Sequence, residues 1–169
     1  WREWGIEFFS FSKGWCMGGF RLGFAVGAAP LIKALRELKG VVDFNQSLAL
    51  QQGAIAALKE SPSWPLKNLD IYRHRRDRAL AVFKAYGWVF PSPSMALYLW
   101  LPVPEMALRQ GLDDETFASQ LLEETGIALT PGSGFGPAGS GWLRLALVRP
   151  VDELEVAIGR VANWFNEYR

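Results

Sequence analysis

A single cysteine, Cys16, and a single histidine, His74, are all the chain has of either residue. One thiol cannot close an internal disulfide, and one thiol with one imidazole makes no cluster of metal ligands; a reducing, cytoplasmic setting is expected. Excess charge is lacking too. The 18 Lys and Arg against 17 Asp and Glu leave a formal +1, so no strong field draws the chain to nucleic acid or to an anionic membrane. No apolar run approaches the roughly 18–20 residues that cross a bilayer, and Trp1 to Glu7 lacks the basic and apolar blocks of a signal peptide. What is present is a globular sequence of 169 residues, 50% hydrophobic, long enough to bury a core. Its 8 Trp and 11 Phe exceed what one small core needs and point to burial against a further surface.

The segment from Gly5 to Ser12 reads as a buried strand, and the glycines Gly14, Gly18 and Gly19 force a loop after it. A second strand is expected from Phe20 to Val26, with Arg21 inside it. Helices follow from Leu31 to Lys39, closed by Gly40, and from Asn45 to Lys59. Leu66 to Ala85 has no internal glycine or proline and predicts one long helix carrying Arg73, His74, Arg75, Arg76 and Arg78. Short extended pieces are expected at Trp88-Val89-Phe90 and from Met95 to Leu101. Asp113 stands where an N-cap belongs, on a helix that Gly126 ends. A strand from Ile127 to Thr130, a glycine-rich loop from Pro131 to Gly141, a strand from Trp142 to Val148 and a final helix from Val151 to Trp164 complete the order. The second half is therefore an α+β unit of strand, helix, strand, strand and helix.

Chemistry concentrates in Ser10-Phe11-Ser12-Lys13, followed eight residues later by Arg21 within Gly19-Phe20-Arg21-Leu22-Gly23. A lysine amine beside apolar walls can attack an aldehyde to form a Schiff base. The hydroxyls of Ser10 and Ser12 and the guanidinium of Arg21 suit a phosphate dianion next to it. Taken singly, Lys13 would be a solvated loop lysine and Arg21 a salt-bridge partner; the combination favours the site. Arg144, alone in an apolar strand, must pair or face a ligand, and its bland reading is a salt bridge to Glu123 or Glu124. Asn45 reads equally well as an N-cap. His74 and its arginine neighbours read as a solvated face, Cys16 as a small packing residue. The glycine-rich loop has neither Rossmann nor P-loop spacing, so its glycines are assigned to tight turns.

These motifs resemble the class I and II aminotransferases, which depend on pyridoxal 5′-phosphate. Tyr72, Arg75-Arg76-Asp77, Tyr98-Leu99-Trp100 with Pro102, Thr130-Pro131-Gly132-Ser133-Gly134-Phe135-Gly136 and Leu143-Arg144-Leu145-Ala146 extend the likeness across nearly the whole chain. Phe44-Asn45 resembles the diaminopimelate enzymes, and the general pattern is of the diaminopimelate and aspartate type; Met95-Ala96 departs from the glycine and aromatic residues common there. The resemblance implies an α/β fold, the C-terminal part of the fold type I large domain (1–78) joined by a long helix to an α+β small domain (79–169). It implies Lys13 as the catalytic amine, Ser10, Ser12, Lys13 and Arg21 on the cofactor, and Arg144 and Asn45 on substrate. Amino acid and 2-oxo acid substrates, and a homodimer when complete, follow from it. The likeness covers a little under half of a family member, so the expectation is a piece lacking its N-terminal part and inactive by itself. The alternatives are a non-catalytic folding unit or remnant, or a lyase or decarboxylase of the same fold.

Overall fold

The computed structural model describes residues 3–60 and 63–169. Its internal contacts divide the chain into two compact units, Trp1–Asp70 and Ile71–Arg169.

In the first unit, β1 (Ile6–Ser10) and β2 (Gly23–Gly27) form an antiparallel ribbon in register from Ile6 opposite Gly27 to Ser10 opposite Gly23. Gly23 and Gly27 are required by close approach, since a methyl at either would run into the backbone carbonyl of Phe9 or Gly5 on the facing strand. The ribbon was expected to be buried, yet Phe8 and Val26 are exposed. Two strands alone cover neither face; the Phe9 and Phe24 rings stack 4.9 Å apart, and Phe24 also meets Phe11 at 5.5 Å. Phe11, Leu22 and Ala54 form the small core, flanked by Trp15, Met17 and Phe20.

Between the strands lie a one-turn helix, α1 (Phe11–Gly14), and a 3₁₀ turn, Gly18–Phe20. Arg21 therefore does not lie in a strand. It ends the 3₁₀ turn in the left-handed region at φ 49°, and β2 begins only at Gly23. Helix α2 (Ala29–Val42) runs through Gly40 instead of stopping there. Lys39 reaches Asp43, 2.7 Å away, and Asp43 takes the cap position, so the ion pair and cap lie one turn beyond the expected glycine. Helix α3 (Leu48–Glu60) starts three residues later than expected. Phe44 at φ 59° breaks the backbone before it, which leaves Asn45 in the connection and removes its role as N-cap.

Helix α4 (Trp64–Ala85) is the long helix expected from the uninterrupted run. Its last two thirds belong to the second unit, where β3 (Tyr98–Pro102), β5 (Trp142–Ala146) and β4 (Thr130–Pro131) form an antiparallel sheet in the order β3-β5-β4. Leu99, Leu101, Leu143 and Leu145 point from one face into a core shared with Phe83, Phe117, Leu121, Ile158 and Phe165. Those residues come from α4, α6 (Asp114–Thr125) and α7 (Val151–Phe165), with a short α5 (Glu105–Arg109) before α6. Asp113 caps α6 by accepting the Thr116 N–H at 2.8 Å, and Gly126 ends it at φ 71°, both as the sequence indicates. Trp88–Phe90 forms no strand. Gly87 at φ 86° reverses the chain, and Trp88 stacks on Phe90, meets Phe165 edge-on and donates its indole N–H to Asn166. Among the described residues no helix is long and apolar enough to cross a membrane.

Candidate active site

The strand alternation of β5 sends Leu143 and Leu145 inward and leaves Arg144 on the other face. The register sets Thr130, Arg144 and Trp100 side by side across three strands. There the Arg144 guanidinium carbon lies 4.5 Å from the ring centres of both Tyr98 and Phe135, and its Nη2 is 3.4 Å from the Thr130 hydroxyl. Buried Nε has no hydrogen-bond acceptor among the described residues. No carboxylate lies within 4.0 Å of this arginine among them either, so the bridge to Glu123 or Glu124 does not form. A guanidinium framed by two π faces, with N–H donors unused among the described residues, has the chemistry to take a planar anion.

Phe135 belongs to the glycine-rich loop, which is held from below. Asp114, 1% exposed, accepts the backbone N–H groups of Ser133 at 2.8 Å and Gly141 at 3.1 Å. Burial pushes the Asp114 carboxyl up, but the donors from Ser133 and Gly141 outweigh it and hold the pKa below the usual value. Gly132 and Gly139 approach so closely that a methyl on either would overlap the other's carbonyl. Close backbone approach, not a turn, is what requires glycine at 132 and 139, whereas Gly136 at φ 113° and Gly141 at φ 78° take the positive-φ turn backbone expected of the loop.

In the first unit the expected lysine motif forms a compact turn. Ser10 caps α1, its Oγ accepting the Ser12 N–H at 3.1 Å. The Phe11 N–H donates to the Leu22 carbonyl at 3.2 Å, closing the loop at the strand ends. Ser10, Ser12, Lys13 and Arg21 therefore stand at one end of the ribbon, in a segment from Ser10 to Gly23 that contains no Asp or Glu. Lys13 is exposed, and the Arg21 Nη1 donates to the Gly18 carbonyl at 3.1 Å, leaving most of its donors free. Two hydroxyls, an amine and a guanidinium with no local acid are a donor set suited to an aldehyde bearing a phosphate. Cys16 does not pack inside but is exposed, at φ 55°. Asn45 lines a groove with Phe11, Leu22, Phe24 and Leu58, which does not include Lys13 or Arg21.

The arginines of α4 are not only a solvated face. Arg75 donates to the Leu147 carbonyl at 3.1 Å, Arg76 to the Pro93 carbonyl at 3.1 Å, and Arg78 pairs with Glu155. Motif reading passed over the frame around Arg144, although Tyr98 and Phe135 stood in the quoted motifs; only the register and the 3₁₀ turn after β4 show that they flank one guanidinium. Asn68, which donates to the Lys13 turn, carries no sequence signal at all.

The chain belongs to the aminotransferase class I and II family, whose model matches residues 3–161. It is 42% identical over 163 residues to an LL-diaminopimelate aminotransferase of Dehalococcoides mccartyi, covering 96% of this chain and 41% of that protein. A probable N-succinyldiaminopimelate aminotransferase of Thermus thermophilus is similar in structure at a TM-score of 0.82 and 39% identity, with 94% of this chain and 41% of the other covered. An aromatic aminotransferase of Pyrococcus horikoshii matches at a TM-score of 0.88 and 27% identity, covering 98% and 44%. The chain thus spans about two fifths of the length of the relatives it matches.

Proposed function

We propose that the protein carrying this chain is a pyridoxal phosphate dependent aminotransferase that moves an amino group between an amino acid and a 2-oxo acid. The observation that carries this reading is the Lys13 turn: an exposed amine with two hydroxyls and a guanidinium returned to the same ribbon end, in a segment without acidic residues. When bound, the cofactor supplies an aldehyde and an electron-withdrawing ring that stabilises negative charge at the substrate Cα. Lys13 is the amine that would hold the cofactor through its aldehyde and, once displaced by the substrate amine, would carry a proton from the substrate Cα to the carbon that the aldehyde supplied. Ser10 accepts a backbone N–H through its oxygen, so its hydroxyl hydrogen remains to donate to a phosphate oxygen, as does that of Ser12. Arg21 would offset part of the dianion's charge. Arg144 takes the substrate α-carboxylate between Tyr98 and Phe135, and Asn45 reaches the substrate from the groove beside α3. The similarity to LL-diaminopimelate aminotransferases supports a dicarboxylic diamino acid as the donor. A homodimer in the cytoplasm completes the reading.

The test is an amino-transfer assay on the full-length protein with LL-diaminopimelate as donor and 2-oxoglutarate as acceptor. Glutamate formed in proportion to donor consumed is expected; release of ammonia or carbon dioxide without glutamate would assign the protein to a lyase or decarboxylase instead.

A further inference from the structure

We infer that Asn68, on α4, is a positioning residue that fixes the backbone from which the Lys13 amine works; this rests on the reading of Lys13 given above. Helix α1 is a single turn of four residues. A helix that short does not hold itself, because nucleation is unfavourable and its last carbonyls have no partner within the turn. Ser10 secures its start. Its end is secured from 55 residues away in sequence: the Asn68 Nδ2 donates to the Lys13 carbonyl at 2.9 Å and lies 3.3 Å from the Gly14 carbonyl and 3.1 Å from the Cys16 Sγ.

The chemistry fixes which end of the amide faces the turn. Two carbonyls are acceptors only, so the NH₂ must point at them; a flipped amide would set oxygen against oxygen. Asn68 is 7% exposed, so water does not replace these bonds freely. The Lys13 carbonyl also accepts the Cys16 N–H at 3.3 Å, and Pro65 of the same long helix sits against Gly14. A helix of 22 residues thus serves as the rigid frame for a turn of four. The Lys13 stem swings from a carbon held two bonds away from the atom Asn68 grips, and Cys16 is kept in its left-handed conformation by the same side chain.

The experiment measures how fast Lys13 of the full-length apoprotein is captured by saturating pyridoxal phosphate, with borohydride quenching and peptide mass mapping at timed points. Asn68→Ala is expected to slow capture about ten- to hundredfold, the scale on which small misplacement of a reacting group acts. Asn68→Ser, which keeps one donor, should recover part of the rate. Ala34→Gly in the exposed interior of α2 is the control for lost stability and should capture at close to the wild-type rate. Hydrogen exchange at Trp15 to Met17 should quicken in Asn68→Ala alone. Should Asn68→Ala fail to fold, Asn68→Ser carries the test with a smaller slowing of the same sign. Capture at the wild-type rate in the Asn68 variants, or equal slowing in Ala34→Gly, overturns the inference. Labelling that persists in Lys13→Ala overturns the reading of Lys13 instead, so the two failures are distinguishable.

Discussion

Replacing Asp114 by Asn should loosen the loop that carries Phe135 and, through it, the Arg144 site. The substitution keeps the volume but exchanges a carboxylate that accepts two buried backbone N–H groups, at 2.8 and 3.1 Å, for an amide that can accept one and opposes the other with its own hydrogens. A hydrogen bond to a charged group contributes about 1.5–3 kcal/mol, and a buried donor left unpaired costs about 1–3 kcal/mol. The expected destabilisation of the Ile71–Arg169 unit is therefore about 2–4 kcal/mol, a large share of a domain's usual 5–15 kcal/mol. The effect depends on pH in a defined direction. Because the folded pKa of Asp114 is depressed, its stabilisation is complete above the unfolded value of about 3.9 and is lost as pH falls through the folded value. Urea denaturation followed by near-ultraviolet dichroism of the Phe117, Trp164 and Tyr168 cluster, at pH 7 and at stepwise lower pH, measures it. The gap between wild type and variant should be widest at neutral pH and narrow in acid. A gap below about 0.5 kcal/mol at pH 7, or one that does not change in acid, would refute the clamp.

Ala96 sits at φ 73° and is exposed, so Ala96→Gly removes left-handed strain of about 1–2 kcal/mol while adding about 0.5–1 kcal/mol of unfolded-state entropy; a small rise in Tm is expected. Gly132→Ala drives a methyl into the Gly139 carbonyl and should lower stability by about 2–3 kcal/mol, seen as a Tm loss of several degrees. Arg144→Lys replaces a planar fork between Tyr98 and Phe135 by a point charge; kcat/KM for amino acid donors should fall about a hundredfold, mostly through KM, with stability nearly kept.

The lysine motif and the long helix were legible because each rests on local chemistry: Ser10 to Arg21 is one contiguous stretch, and Leu66 to Ala85 has nothing to interrupt it. Gly40 and Asn45 misled for a related reason, since a glycine or asparagine marks a helix end only if the backbone turns there. The Lys39–Asp43 pair and the positive φ of Phe44 moved both boundaries. Arg21 looked like a strand residue because apolar neighbours surround it, whereas the 3₁₀ turn before it needs a left-handed exit. The surroundings of Arg144 could not be read from spacing, because Tyr98 and Thr130 come together through the β3-β5-β4 register and Phe135 is brought in by the 3₁₀ turn that follows β4. Asn68 is the extreme case: its partners lie more than fifty residues away, and nothing in its neighbours announces them.

The most direct measurement is to mix the full-length protein with pyridoxal phosphate, reduce with borohydride and map the modified peptide. The account predicts a single stoichiometric label on Lys13 that vanishes in Lys13→Ala and weakens in Arg21→Ala. A label spread over the other lysines, or one unchanged when Lys13 is removed, would contradict it.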